Sequence, residues 1–565
     1  MGQNISNIID SFVDIDVLVI GGGGAACRAA IEAHDQGSSV LMIVKGNFGN
    51  SGCTLYVGTS AAVGPWASPE DSNDISLQDL LSYGGYLGNR KLAKILIDET
   101  MDRISELDRW GIEFVRDNSG NIIVNQSAEH TFPRNFAFKP NPSSSHEYGS
   151  APGIALMDVL IEQVTSRKIN VADQVALIDL ICVDGKVLGA ICLDIQKNRL
   201  VVFRSKATVL ATGTYSQIFS PTTVSAGETG DGQAAAFRAG TELIDMECSQ
   251  FVASTTSHVI GARFLNTKRE AFVEKYNTSF LSPMVAKESQ VYAIAKEIKN
   301  GGGTERGTVY LDLRTPLQNE SLAKSFLSHF QQRMRFDPIS AMNKGLDPRF
   351  DIIETCPAAH TTIGGIRIND ECATNITGLY AAGSVAGGIY GLARPEGYTS
   401  MITLVFGRRA GLFAAEYSNQ STLQKIDAKL LNPYIEKTTS IIDNENGASV
   451  NKIKSEIRNT LTEFGWVIKD EEGLSKGINQ IRRIREKYPS FDISNGRDWL
   501  NALELGNMLL AAELLLLGSL QRKESRGAFF RDDYPNLDNS NWMHNIIYRQ
   551  ADSKPILTKH DPNIN

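Results

Sequence analysis

At 565 residues, with 42% hydrophobic and 21% charged residues, the chain has the composition of a folded globular protein and is long enough for two to four domains. A net charge of −8 without any basic run argues against nucleic acid as a partner. The seven cysteines are scattered and form no CxxC pair, so they speak against a disulfide framework, a metal site or an iron–sulfur cluster within this chain and fit a reducing, cytoplasmic setting.

In chain order, Met1–Ser6 fits the short myristoylation pattern but lacks the basic and apolar segments of a signal peptide. Val17–Ile20 is apolar throughout, as a parallel strand buried on both faces should be. It runs into Gly21, Gly23 and Ala26, the marked positions of GxGxxG/A. The first permits a tight turn, the second lets backbone approach a pyrophosphate, and the third lets helix pack on strand. Gly24 and Ala25 open a predicted helix that runs to about Gln36, with alanines at 26, 29, 30 and 33 on one face and Gly37 as its stop. Ser39–Val44 supplies the next strand, so the strand–turn–helix context of a dinucleotide site is complete, with the helix N-terminus aimed at an anion. The acid expected at the end of that second strand, to bind a ribose, is replaced by Val44.

Two further strand–glycine segments, Lys206–Gly213 and Gly378–Gly383, are predicted to complete the same sheet. Between them the character changes from Gly240 to about Pro357, which reads as an inserted domain. Helical periodicity dominates through Ile453–Ile484 and Trp499–Leu520. Met508–Leu517 is interrupted by Glu513 and too short for a direct membrane span, so it reads as a buried helix. The tail from Ser525, rich in Asp, Asn and Pro, is expected to wrap an existing surface. The expected divisions are 1–240 and 357–420 for the dinucleotide-binding domain, 241–356 for the insert, 421–524 for the helices and 525–565 for the tail.

Several stretches together resemble the flavoprotein subunits of succinate dehydrogenase and fumarate reductase, with the related L-aspartate oxidases. They are Asp16–Ala26, Asn50-Ser51-Gly52, Ala211-Thr212-Gly213, Thr229–Gly232, Tyr310–Leu313, His360–Ile366, Gly378–Gly383, Val405–Gly411 and Ser525–Pro535. The resemblance implies an α/β fold: a Rossmann-like FAD-binding domain, an inserted α+β capping domain that closes over the flavin, and a C-terminal helical domain. It implies FAD in the glycine turn, with further contacts from Val44, Lys45, Asn50, Ser51, Gly52, Cys53, Ala211, Thr212, Gly213, Asp231, Gly383, Ser384 and Thr399. Ser384 stands where the family usually has a glutamate. Gly52 and Cys53 stand where membrane-complex members carry the histidine joined to flavin, so the FAD is expected to be non-covalent.

The same resemblance assigns His360 and Arg394 to the substrate pocket, where an arginine fork binds a carboxylate bidentately. Other pocket features of the family are altered. Val252 replaces a second histidine, the glutamate-bearing loop is shortened to Gly261–Phe264, and the Arg-Asp expected within Pro283–Gln290 is missing. Lys287 is either a substitute proton donor or a solvated surface lysine, and Arg263 is a candidate second anion contact. The reading is an FAD-dependent oxidoreductase acting on a small carboxylate-bearing substrate. Its rivals are an L-aspartate-oxidase-like amine oxidase and the flavoprotein subunit of an iron–sulfur electron-transfer complex, with any membrane association made through a partner.

Overall fold

A computed structural model describes residues 9–141, 151–254, 261–276, 286–333, 341–443, 447–552 and 554–562. The Met1–Ser6 pattern and the first part of Pro283–Gln290, up to Val285, lie outside the described residues. The fold is the α/β architecture expected: a doubly wound domain with an inserted cap and a C-terminal helical domain.

The central sheet has seven strands. Strand β1 (Ile9–Ile20) pairs in parallel with β2 (Val40–Val44) on one side and with Arg199–Leu210 on the other, in register Val17↔Val40 and Val17↔Ala207. Asn170–Asp173 extends the sheet beyond β2, and Leu379–Ala381 pairs in parallel with the end of Arg199–Leu210. The first half of Arg199–Leu210 instead carries an antiparallel flap, Lys186–Asp194 and Val175–Val183. Helix α1 (Gly24–Asp35) starts directly after β1, and its alanines are buried against helix Tyr398–Asn419. Small side chains permit that close packing.

The insert has its own core. Phe264, Ile294, Val309, Leu311, Phe326, Phe330 and Ile353 form a cluster separate from the main one. Its sheet is Arg263–Leu265, Val309–Asp312 and Ile353–Thr355, all antiparallel, flanked by helices Ala286–Lys299 and Glu320–Arg333. The chain enters and leaves this unit through one antiparallel ladder, Ser249–Ala253 against Pro357–Thr362.

Two expectations need correction. Met508–Leu517 lies within a 26-residue helix, Gly496–Gln521, which is long and apolar enough to cross a membrane, so length alone does not decide. Most of its apolar window (72%) is buried inside the protein, as a core helix requires. The tail does more than wrap: Asn545–Ala551 and Lys554–His560 form a hairpin that joins a five-stranded sheet beside Leu243–Ile244. Ile546, Ile547 and Tyr548 are consecutive and all buried, so both faces of this part of the strand are covered by the protein.

Candidate active site

Three loops meet at the carboxyl ends of parallel strands, where ligands of open α/β sheets bind. The first is the glycine turn. Gly21 has φ +140°, and a Cβ there would lie 2.2 Å from the carbonyl oxygen of Ala211, so only glycine fits. Gly23 caps α1 without a side chain, and a Cβ there would meet only Thr54 Oγ1, at 3.4 Å. The space beside Gly23 is open to a ligand. Gly24 N donates to Thr54 Oγ1 (3.0 Å), and Ala25 and Ala26 continue the helix, buried.

The second loop, Asn50–Cys53, turns back against the first. Ser51 Oγ donates to the carbonyl of Asn47 (3.2 Å), and Gly52 faces the Cα of Gly23. Burial, then the Glu228 carboxylate beside it, pushes the Cys53 thiol well above its ordinary pKa, so it remains protonated. The third loop, Ala211–Gly213, follows Arg199–Leu210. The Thr212 hydroxyl is buried without a partner among the described residues, as a group awaiting a ligand would be. Gly383 follows Leu379–Ala381 and abuts Ala25, with Ser384 next to it.

Val44 is buried against Gly22. Lys45 reaches Asp231 (2.5 Å), Glu504 (2.8 Å) and Thr229 Oγ1 (2.9 Å). Burial works against its charge, but the two carboxylates outweigh it and hold its pKa above the usual value. The backbone-lined turn, the open space at Gly23 and the orphaned Thr212 hydroxyl fit a dinucleotide.

A second constellation surrounds Arg394, which is 6% exposed. Its Nη1 donates to Thr399 Oγ1, and its Nε is a buried donor with no partner among the described residues. Three side chains fix the backbone that carries it. Lys287 Nζ and Gln250 Nε2 each donate to the Arg394 carbonyl (3.1 Å), and His130 Nε2 lies 2.9 Å from the carbonyl of Glu396. Arg134 Nη1, which can only donate, faces His130 Nδ1 at 3.4 Å, so the proton of the neutral ring belongs on Nε2, pointing at Glu396. Burial, with the Arg134 charge adding to it, keeps the His130 pKa below its ordinary value. Arg134 is itself locked to Asp71 and Asp79 (2.6 Å each). His360, half-buried on the ladder that leads to the cap, places Nδ1 2.8 Å from Thr223 Oγ1.

Lys287 is not a solvated surface lysine. It is 6% exposed at the start of Ala286–Lys299, where the cap reaches back over the Arg394 loop, and it pairs with Glu129 at 3.2 Å. Its neighbour Glu288 accepts from Tyr83 Oη and Gln250 Nε2, both at 2.5 Å, and Tyr83 Oη also lies 3.5 Å from Glu129. Arg263 does not share this buried cluster. It is exposed on the cap sheet, in register with Asp312. Val252 is buried in the ladder strand. Sequence reasoning missed Tyr83, Glu129, His130 and Glu288. The only local signal was a Lys-Glu pair at a helix start.

With this geometry in place, comparison with known proteins gives consistent results. The family model described as FAD binding domain matches residues 16–400, and the one described as fumarate reductase flavoprotein C-term matches residues 454–565. The chain is 31% identical over 557 residues to a component of the fumarate reductase (CoM/CoB) of Methanothermobacter marburgensis, covering 94% of this chain and 97% of that one. It is 25% identical to the succinate dehydrogenase flavoprotein subunit of Rickettsia bellii, covering 97% and 95%. Among solved structures it is similar to Mycobacterium smegmatis Sdh1 in complex with UQ1, with TM-score 0.85 and 27% identity over 98% of this chain and 95% of that one.

Proposed function

We propose, for a chain that belongs to the flavoprotein-subunit family of fumarate reductases and succinate dehydrogenases and is therefore an FAD-dependent oxidoreductase, that its substrate is a small carboxylic acid held by Arg394 and His360, with Lys287 handling the proton. The observation that carries this reading is the buried Nε of Arg394, without a partner among the described residues, on a loop whose carbonyl is held by a buried lysine. A guanidinium left with a free donor in a dry site favours a planar anion there.

FAD bound in the glycine cradle supplies two-electron chemistry. The chain's own residues do the rest. Gln250, Lys287 and His130 hold the Arg394 loop so that the guanidinium keeps one orientation. The carboxylate bound there fixes the neighbouring carbons. For reduction of a carbon–carbon double bond, the bound flavin would supply the hydride to one carbon, and the Lys287 ammonium would give a proton to the other and recover it from solvent. Lys287 thereby stands in for the arginine whose absence the sequence suggests. The cofactor is bound non-covalently: no histidine follows Ser51, and Cys53 remains a protonated thiol. With no cluster-type cysteine pattern of its own, the chain exchanges electrons with an iron–sulfur protein.

The test uses holoenzyme reduced chemically without oxygen. Reoxidation of its flavin by a small α,β-unsaturated carboxylate supports the reading. Failure of every such acid, or peroxide formed from an amino acid and oxygen, overturns it. Acid precipitation should release all the FAD, and an iron–sulfur protein should co-purify with the native enzyme.

A further inference from the structure

We propose that a cavity behind the dinucleotide cradle, separate from the Arg394 pocket, binds a carboxylic acid with an apolar body, held by Lys437 at the rim. The cavity measures about 400 Å³, a size suited to a small organic molecule. It lies between strand Val175–Val183, helices Asp231–Arg238, Ala428–Thr439 and Gly496–Gln521, and the hairpin of the tail. None of its lining residues belongs to the glycine cradle or to the Arg394 pocket. Glu504 and Asn507 form part of the wall towards the cradle, where they reach Lys45 (2.8 Å) and Asp231 (2.9 Å).

Two independent features point to such a ligand. The first is Lys437, whose side chain is 58% exposed at the rim and whose ammonium donates to Asp179 Oδ2 at 3.3 Å. The same oxygen accepts from Arg238 Nε at the shorter distance of 2.9 Å, and Arg238 spends its other ends on Asn507 and the carbonyl of Ile178. An ammonium has three donors, so Lys437 keeps two for an anion at the rim. Glu513, the remaining acid of the lining besides Glu504, is held by Arg482 and Arg485. Every acid of the lining thus has a base, and Lys437 is the base least engaged.

The second feature is Gly506, in the middle of the 26-residue helix Gly496–Gln521. Glycine weakens a helix interior relative to alanine, and close packing is the usual reason for it. Packing does not explain this one, because a Cβ at Gly506 would meet nothing within 4 Å. The glycine lines the cavity and is exposed, and Leu503 and Leu510, on the same helix face, remain half-buried there. Phe237, Tyr434 and Phe491 add to this apolar lining. A chain or ring lying in the cavity would cover the two leucines and bring its carboxylate to Lys437, and a side chain at position 506 would stand in its way.

Octanoate and 4-phenylbutyrate present a carboxylate on a chain and on a ring, and the matching amides are uncharged controls. Each is titrated into the FAD-loaded protein and followed by calorimetry. At least one acid should bind, about tenfold or more tightly than its amide, and the tighter of the two tells chain from ring. Lys437→Met should weaken that acid about tenfold or more and leave the amide unchanged. Gly506→Leu should abolish binding of the acid while raising the unfolding temperature, since leucine favours a helix over glycine. That combination separates a filled cavity from a damaged fold. Failure of both acids to bind wild type, an amide binding as tightly as its acid, or acid binding undiminished in either variant would each overturn the inference. In the last case the acid sits elsewhere, the Arg394 pocket included.

Discussion

The glycine cradle and the Arg394 pocket lie in one protein but are built on opposite principles. The cradle is made of backbone: it comes from short segments at strand ends, and its specificity resides in what is missing from Gly21 and Gly23. The pocket is made of side chains from five distant segments, around residues 83, 129, 250, 287 and 394, drawn together by hydrogen bonds and an ion pair. A backbone site tolerates almost no change in shape, whereas a side-chain site can be retuned without disturbing the fold.

The largest effects belong to the cradle and separate its two glycines. Gly21→Val places a side chain where a Cβ alone would come within 2.2 Å of a backbone oxygen, so both soluble protein and bound FAD should be lost. Gly23→Val should leave the apo fold intact, because its Cβ meets only Thr54, while abolishing FAD retention. Circular dichroism alongside flavin content distinguishes the two outcomes. A folded, flavin-loaded Gly23→Val protein would show that the open space at Gly23 is not where the cofactor lies.

Lys287→Met comes next. Removal of a general acid typically costs about 10²- to 10⁴-fold in rate, and that loss should appear in kcat with FAD content unchanged. Lys287→Arg, which keeps the charge and restores the residue type the lysine stands in for, should recover part of the loss. A Lys287→Met enzyme with full kcat would reduce the lysine to a packing element of the cap.

The cradle was legible in the sequence because its signal is local. Strand, glycine spacing and alanine-faced helix lie within 21 residues, and each part restricts the next. Arg394 and His360 were legible only through resemblance, since neither has a local pattern that separates it from a surface arginine or a core histidine. Glu129, Tyr83 and Glu288 were illegible, because what marks them is mutual proximity across 205 residues of chain, as between Tyr83 and Glu288. Lys287 misled for a related reason: lysines are usually exposed, and only the placement of Glu129 and the Arg394 carbonyl makes its burial tolerable. The tail misled because its polar composition hides the short run Ile546–Tyr548, which completes a sheet formed by residues some 300 positions earlier.

Arg394→Lys should have a smaller effect than loss of the proton donor. The charge remains, but the planar fork that offers Nε and its neighbours to a carboxylate does not. A hydrogen bond to a charged group is worth about 1.5–3 kcal/mol, which predicts roughly a ten- to hundredfold loss in kcat/KM with the flavin retained. Unchanged kcat/KM on the true substrate would reopen the anchor assignment.

The smallest effect concerns His130, which touches the pocket only through the carbonyl of Glu396. His130→Phe preserves the edge-to-face contact with Tyr398 (5.5 Å between centroids) but removes the hydrogen bond and the titrating ring. A single neutral hydrogen bond of about 1 kcal/mol predicts a loss of roughly fivefold in kcat/KM, without loss of FAD. The pH dependence gives a second reading. Burial and Arg134 hold the folded-state pKa below 6.5, so the native ring is neutral where the unfolded one begins to bind a proton. The contribution of His130 to stability is therefore complete above pH 6.5 and is lost as the pH falls from there toward the folded-state value. Wild type and His130→Phe, unfolded in denaturant at pH ~7.5 and ~5.5, should differ less at the lower pH. A difference that grows on acidification would mean that the ring is protonated in the native state, with Nδ1 turned away from Arg134, and that the Arg394 loop is held by a charge rather than by a neutral donor.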